Sequence, residues 1–387
     1  MEKMKALHVF TIINTPKSFF DGQFRYLAEK GHSIHVVSDS PEDLDFSRKN
    51  TITYHQIPIA RKISPFSDLS SIARLVALIN KEKFDIVVGH TPKGAMVAMI
   101  AAKLAGVKSR IYYRHGLIYT TAIGAMRWLL KTVEQCTAAL ATNIINVSPS
   151  LSKLAVKDRL NSPEKQRVIG AGTCGGIDTE NIFNPALINT AEKSALKSLL
   201  GISEDDFIVG FCGRICKDKG IRELIDGFRL FKRHNAAAKL LLVGAFDTRD
   251  ILPTDYKKEI LGADDVISTG RIVKSQLPLY YSLMDVFVFP SYREGFGMSV
   301  IEASAMMVPV LVSRSHGCID SIREHHTGEY IDISAEGVCS GLLKMTKSDI
   351  RKSVGREGRR FVVENFDFKV MWPAVARFYR DIHHKIL

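Results

Sequence analysis

Short apolar runs alternate with helical stretches along nearly the whole of this 387-residue chain. Few folds accept that rhythm. KALHVFTII reads as a strand, FFDGQFRYLAEKG as a helix ended by Gly31, and HSIHVVSDS as a second strand. The helix rests on Phe20, Phe24, Leu27 and Ala28, whose i, i+4, i+7, i+8 spacing makes one face apolar. ITYHQIPI, FDIVVGH, SRIYYRHG and TNIINVSP continue the strands. Helices over 67–83, GAMVAMIAAKLAG and AMRWLLKTVEQCTA fall between them. FDIVVGH is continuously apolar, which suits a parallel sheet covered on both faces. A β-α-β order of this kind predicts an α/β fold built on doubly wound parallel sheets.

The rhythm pauses over 160–205, where NSPEKQRVIGAGTCGGIDTENIFNP is rich in Gly, Asn, Asp and Pro and reads as loop and linker. It resumes at DFIVGFCGR and runs through ELIDGFRLFKRH, AKLLLVGA, VISTGRI, LPLYYSLMD, VFVFPS, SVIEASAMM and PVLVSRS to a helical C-terminus. The boundary is placed near residue 185, giving domains over 1–185 and 186–365, with a final helix over 366–387. Two such halves are expected to face each other across a cleft, with ligands at the C-terminal ends of the strands.

The formal net charge is +12, and residues 86–157 hold nine Lys and Arg against the single acid Glu134. Such a patch suits nucleic acid, an anionic membrane or a phosphorylated substrate, or is a solvated basic face. The six cysteines are scattered, with Cys212 and Cys216 four apart, so neither a C-x-x-C redox pair nor a zinc site is expected. They read as small buried hydrophobes in a reducing compartment. No charge-free apolar window is long enough to span a membrane. The apolar run Leu7–Ile13 is too short for a signal sequence.

Two segments carry chemistry. In GFCGRICKDKGIRELI a strand ends at Gly213-Arg214 and a helix starts near Lys219-Gly220. Backbone N–H groups, a guanidinium and an ammonium aimed at one point are the equipment for a diphosphate. No G-x-x-x-x-G-K-[ST] loop of a nucleoside triphosphatase is present. In FVFPSYREGFGMSVIEASAMMVPVL a strand gives way to a Gly-rich loop and then a helix near Met298. Glu294 precedes that helix and Glu302 lies inside it. The helix start suits a phosphate, and a carboxylate at Glu302 matches a ribose diol.

The segment EGFGMSVIE, an E-x7-E following a strand that ends in FPS, resembles the donor-sugar motif of family 4 retaining glycosyltransferases of the GT-B fold. Gly213, Arg214 and Lys219 match that family's diphosphate positions. FFDGQFRYLAEKGHSIHVVS, FDIVVGHTPKGAMVAMIAAKLAGV and GTCGGIDTENIFNP are similar to the branch that builds capsular, O-antigen or N-glycan precursor units on a polyprenyl diphosphate. The resemblance implies two Rossmann-like domains, the first binding acceptor and the second binding nucleotide-sugar, with the last helix crossing back to the first. It implies that Arg214 and Lys219 neutralise the nucleotide diphosphate and that Glu302 holds the ribose. Glu294, with Gly295, Phe296, Gly297, Met298 and Ser299, would hold the donor sugar. A metal-independent, front-face transfer with retention is implied, with no cofactor beyond the nucleotide-sugar.

In the first half, His115 is the candidate for stabilising positive charge at the anomeric carbon, with general-base chemistry open to it. His90, Thr91, Lys93 and Arg114 are candidates for the acceptor, Thr91 and Lys93 for its phosphate. The segment Asn14–Gly22 is expected to line the same cleft. The basic patch then suits an anionic inner-leaflet surface, with Trp128, Leu129 and Leu130 either dipping into it or forming helix core. The chain is expected to be cytoplasmic and peripheral to the inner face of the membrane. A UDP-sugar and a polyprenyl-diphosphate-linked sugar are the expected partners, with no nucleic acid. Another GT-B enzyme, namely a nucleotide-sugar epimerase, a GDP-sugar transferase or a phosphorylase, is the first alternative. A nucleic-acid-binding protein, suggested only by charge, is the second.

Overall fold

The computed structural model describes residues 3–61, 64–248 and 250–384. Two parallel sheets account for all thirteen named strands. The first holds β1 (Lys5–Val9), β2 (Ser33–Ser38), β3 (Ile52–Gln56), β4 (Ile86–His90), β5 (Ser109–Arg114), β6 (Asn143–Asn146) and β7 (Gln166–Val168) in the order β3-β2-β1-β4-β5-β6-β7. The second holds β8 (Phe207–Cys212), β9 (Ala238–Val243), β10 (Val266–Ser268), β11 (Val286–Phe289), β12 (Val310–Ser313) and β13 (Glu329–Ile331) in the order β10-β9-β8-β11-β12-β13. Both are doubly wound. The order reverses between β1 and β4 in one sheet and between β8 and β11 in the other. Loops at such a reversal part to opposite faces and leave a crevice at the strand ends.

Every residue of β4, β8 and β11 is buried, because helices cover both faces of a parallel sheet. By contacts the chain divides into one unit reaching to Gly176 and regaining the chain at Phe368, and a second over Ile177–Asp367. The first division therefore falls nine residues before the position near 185. The stretch 177–185 is bound into the second unit: Thr179 N–H donates to Asp367 at 3.2 Å, and Arg359 donates to the Phe183 carbonyl at 2.9 Å.

Three local expectations change. The helix read over FFDGQFRYLAEKG starts later, at Gln23–Glu29, and a separate short helix, Asn14–Phe19, precedes it. Gly22 sits between them at φ 82°, and a Cβ there would lie 2.7 Å from the Trp372 ring. Only glycine meets both demands without strain. The stretch 160–205 is not all linker. It holds β7, a three-residue edge strand with too few residues for a visible period, and the helix Thr190–Leu199. Asn189 caps that helix by accepting from Ala191 N–H at 2.9 Å, a start signal that the surrounding polar residues obscure. A short helix, Leu44–Asn50, also follows β2.

Candidate active site

In the second unit the two loops at the sheet reversal meet. The loop after β8 carries Gly213, Arg214 and Lys219, and the loop after β11 carries Glu294. They are stitched by backbone and side chain. Tyr292 N–H donates to the Asp218 carbonyl at 2.9 Å, and the Arg293 guanidinium pairs with the Asp218 carboxylate. Gly220, at φ 68°, allows this approach, since a Cβ there would lie 2.1 Å from the Pro290 carbonyl oxygen.

Lys219 and Glu294 form an ion pair, both largely buried. The Ser291 hydroxyl, 2.9 Å away, also serves Glu294 Oε1. The Lys219 ammonium lies 5.1 Å from the centre of the Phe289 ring, a cation–π contact that holds it low in the crevice. Arg214 pairs with Asp247, and its side chain is 51% exposed against 6% for the aspartate. The Asp250 N–H holds Asp247 Oδ1 at 3.1 Å. The two cations thus start from carboxylate partners, one exposed and one sheltered.

Gly297 precedes the helix Met298–Ala305, with Glu302 on its second turn. The Tyr281 hydroxyl donates to Glu302 Oε2 at 3.0 Å. Burial raises the Glu302 carboxyl pKa, opposed by Lys274 and by that hydrogen bond. Cys212, beside them at the end of β8, has a thiol raised to about 12 by burial and the Glu302 charge, so it is inert as a nucleophile. A Cβ at Gly317 would sit 2.6 Å from the Gly295 carbonyl oxygen, so the Gly-rich loop before the helix is braced from behind. Asp218, Asp247, Ser291 and Tyr281 were missed from sequence. Each acts by holding a loop or a carboxylate, and no spacing marks such a role.

The first unit departs more from expectation. His115, just past β5, is half-buried, with its Nε2 3.0 Å from His90 Nδ1. His90 itself is fully buried behind it, so it does not face an acceptor directly. Arg114 is likewise interior: its side chain is wholly buried and lies 3.4 Å from Glu134, 3.1 Å from Asn146 and 3.0 Å from Asn161. As the last residue of β5 it points into the layer between sheet and helix, so the guanidinium serves the fold rather than an acceptor. Lys93 is tied to Asp68, with both side chains mostly buried. Thr91 takes φ 64° at the start of helix Pro92–Leu104, and its hydroxyl turns back to the His90 carbonyl rather than capping the helix.

Helix Gly124–Leu140 leaves Trp128 71% exposed and Ile123 86% exposed, with Met126 and Leu129 exposed beside them. Trp128 is therefore not helix core. Among the described residues no helix is long and apolar enough to cross a membrane.

Residues 8–148 match the family described as glycosyl transferase 4-like, and residues 192–360 match glycosyl transferases group 1. The capsular polysaccharide biosynthesis glycosyltransferase CapM of Staphylococcus aureus is 32% identical over 380 residues, covering 97% of either chain. The UDP-Gal:alpha-D-GlcNAc-diphosphoundecaprenol alpha-1,3-galactosyltransferase of Escherichia coli is 23% identical over 366 residues, covering 93% of this chain and 92% of that one. The crystal structure of Anabaena Alr3699/HepE in complex with UDP and glucose superposes with a TM-score of 0.79 at 16% identity, over 97% of this chain and 99% of that one.

Proposed function

Because the chain belongs to the glycosyltransferases, with a glycosyl transferase 4-like first half and a group 1 second half in the GT-B fold, we propose that it transfers a sugar, with retention, from a UDP-sugar to a polyprenyl-diphosphate-linked glycan in surface polysaccharide synthesis. The observation that carries the reading is the meeting of Arg214, Lys219 and Glu294 at the sheet reversal, with Glu302 on the helix that follows and the Tyr281 hydroxyl donating to it. The relatives named for capsule synthesis and for transfer to a diphosphoundecaprenol sugar support the acceptor class.

Chemically, the donor's diphosphate draws Arg214 and Lys219 away from Asp247 and Glu294. Lys219's release frees the Glu294 carboxylate to accept hydrogen bonds from sugar hydroxyls. As the glycosidic bond breaks, negative charge grows on the leaving phosphate, where the two cations already stand. A preorganised charge of this kind stabilises the transition state more than the ground state. The acceptor hydroxyl attacks from the face the nucleotide leaves, and its proton passes to the departing phosphate oxygen. Glu302 accepts from the ribose hydroxyls while Tyr281 keeps it oriented.

A panel of UDP- and GDP-sugars offered with a polyprenyl-diphosphate sugar tests this. One UDP-sugar should add a single sugar mass with the anomeric configuration preserved. Transfer from GDP-sugars alone, or an inverted product, would refute the donor or the stereochemical assignment.

The lipid acceptor places the protein at an anionic membrane surface. Ile123, Met126 and Trp128 supply exposed apolar area on an element flanked by Arg127 and Lys131. The double variant Ile123→Ser/Trp128→Ser should bind anionic phospholipid vesicles roughly tenfold more weakly in sedimentation, since losing part of two large apolar side chains removes more than ~1.4 kcal/mol of transfer energy. Unchanged binding would remove this helix from the interface.

A further inference from the structure

Three cations at the crevice of the second unit each hold a carboxylate before any ligand arrives. Arg214 pairs with Asp247, Lys219 with Glu294 and Arg293 with Asp218. A fourth acid, Asp250, stands beside them, its carboxylate accepting the Asp218 N–H at 2.7 Å. The Arg214 pair is uneven. Its guanidinium stands half in solvent, and its aspartate is sunk in the protein. Asp247 does not depend on Arg214 for its place. The loop after β9 continues the β8–β9 pairing beyond the sheet. The Ile215 N–H donates to the Ala245 carbonyl at 2.9 Å, and the Asp247 N–H donates to the Ile215 carbonyl at 3.1 Å. The Asp250 N–H then holds the Asp247 carboxylate at 3.1 Å. Backbone fixes the carboxylate, so the guanidinium, on its long flexible stem, is the member of the pair that can leave.

An ion pair with one half-exposed member contributes little to folding. What Asp247 governs is the availability of Arg214. Burial works against the Arg214 charge, and the Asp247 hydrogen bond with the Asp247 and Glu294 charges outweighs it, raising the pKa. A phosphate takes Arg214 only by binding it better than these carboxylates do. The consequence is greatest at the end of a turnover. A sugar ester of a nucleoside diphosphate carries two negative charges. The nucleoside diphosphate left after transfer has a terminal phosphate with a second ionisation near pH 6, so it carries close to three at neutral pH. Arg214 and Lys219 therefore attract the product more strongly than the donor. A site furnished with cations alone would keep its product.

We propose that Asp247 is a positioning residue for product release: it takes Arg214 back from the nucleoside diphosphate and so sets how long that product stays in the crevice. The diphosphate rests on the proposed transferase reading; the resting pair does not. Product departure limits turnover in many enzymes, and here the competing group is built into the fold on the loop beside the one that carries the cations.

The test is Asp247→Asn in the full chain. Asparagine has the same shape and keeps an oxygen for the Asp250 N–H, but it carries no charge. UDP titrated calorimetrically should bind this variant roughly fivefold more tightly than wild type, the upper range for a partly exposed ion pair. UDP should inhibit transfer more strongly in the same proportion, and the donor KM and kcat should fall together. A packing defect would act in the other direction, weakening UDP and raising KM. Uridine, which has no phosphate, should bind both proteins alike, and an equal gain for uridine would overturn the proposal. So would UDP bound equally or more weakly by Asp247→Asn, with the transferase reading left in place. Should that variant not fold, Asp247→Ser, also uncharged, makes the same comparison with the same expected sign. Wild-type protein without affinity for UDP refutes the transferase reading and the proposal together.

Discussion

Arg214→Ala should abolish measurable sugar transfer, and Lys219→Ala should lower kcat by roughly 10²–10³, the usual loss for one preorganised charge at a developing anion. The two sites differ in what each substitution leaves behind. Arg214 is half exposed, and its partner Asp247 keeps the Asp250 N–H. Its removal should therefore cost little stability, and the loss should be one of chemistry. Lys219 is sheltered, and without it the Glu294 carboxylate stays largely buried in the crevice, keeping the Ser291 hydroxyl but losing its ion pair. That variant should melt at a lower temperature as well as react slowly. Glu302→Ala is expected to act on binding, weakening UDP by roughly ten- to a hundredfold, as for a hydrogen-bonded charged group. Steady-state kinetics with UDP titration separates the three. Full turnover by Arg214→Ala would contradict the diphosphate assignment.

Acid should destabilise this protein well before its carboxylates titrate. Burial pulls His8 and His115 down to about 3 when folded and holds His90 well below its ordinary value, against about 6.5 for an unfolded histidine. Between those values the unfolded chain binds more protons than the folded one, so stability falls as pH falls. It is fully present above pH 6.5 and is lost progressively toward pH 3. At pH 5 each buried histidine costs on the order of 2 kcal/mol, and the three together approach the net stability of an ordinary domain. Glu134 and Glu302, whose carboxyls burial raises, act in the opposite direction at the acid end. Denaturant midpoints at pH 7.5 and 5.5 should show the loss. His8→Phe should flatten the slope by up to ~1.4 kcal/mol per pH unit, one proton's worth. A slope identical in the variant would show that His8 does not gain its proton on unfolding.

Some features of the site were legible along the chain because they are local. EGFGMSVIE joins a loop, a helix start and a carboxylate within nine positions, and GFCGRICKDKG does the same for the cations. Backbone geometry alone brings such neighbours together. The partners Asp247, Asp218, Ser291 and Tyr281 could not be read this way. Asp247 is 33 residues from Arg214, and Glu294 is 75 from Lys219. Sheet order, not spacing, makes each pair.

His90 and Arg114 make the same point by failing. Each ends a strand and carries a polar side chain, and the strand ends are where such sheets bind ligands. Whether a strand-terminal side chain enters the crevice or the layer beneath depends on which face of the sheet it occupies and on what covers that face. Here Arg114 meets Glu134 on helix Gly124–Leu140, and His90 meets His8 from the adjoining strand. Apolar periodicity and turn chemistry act between residues a few positions apart, so the sequence by itself determined the α/β alternation, the two-sheet organisation and the two loops that carry the charges. Burial and pairing depend on strands brought together across β1, β4 and β5, or β8 and β11, so only the tertiary structure decided which polar groups face a substrate and which support them from behind.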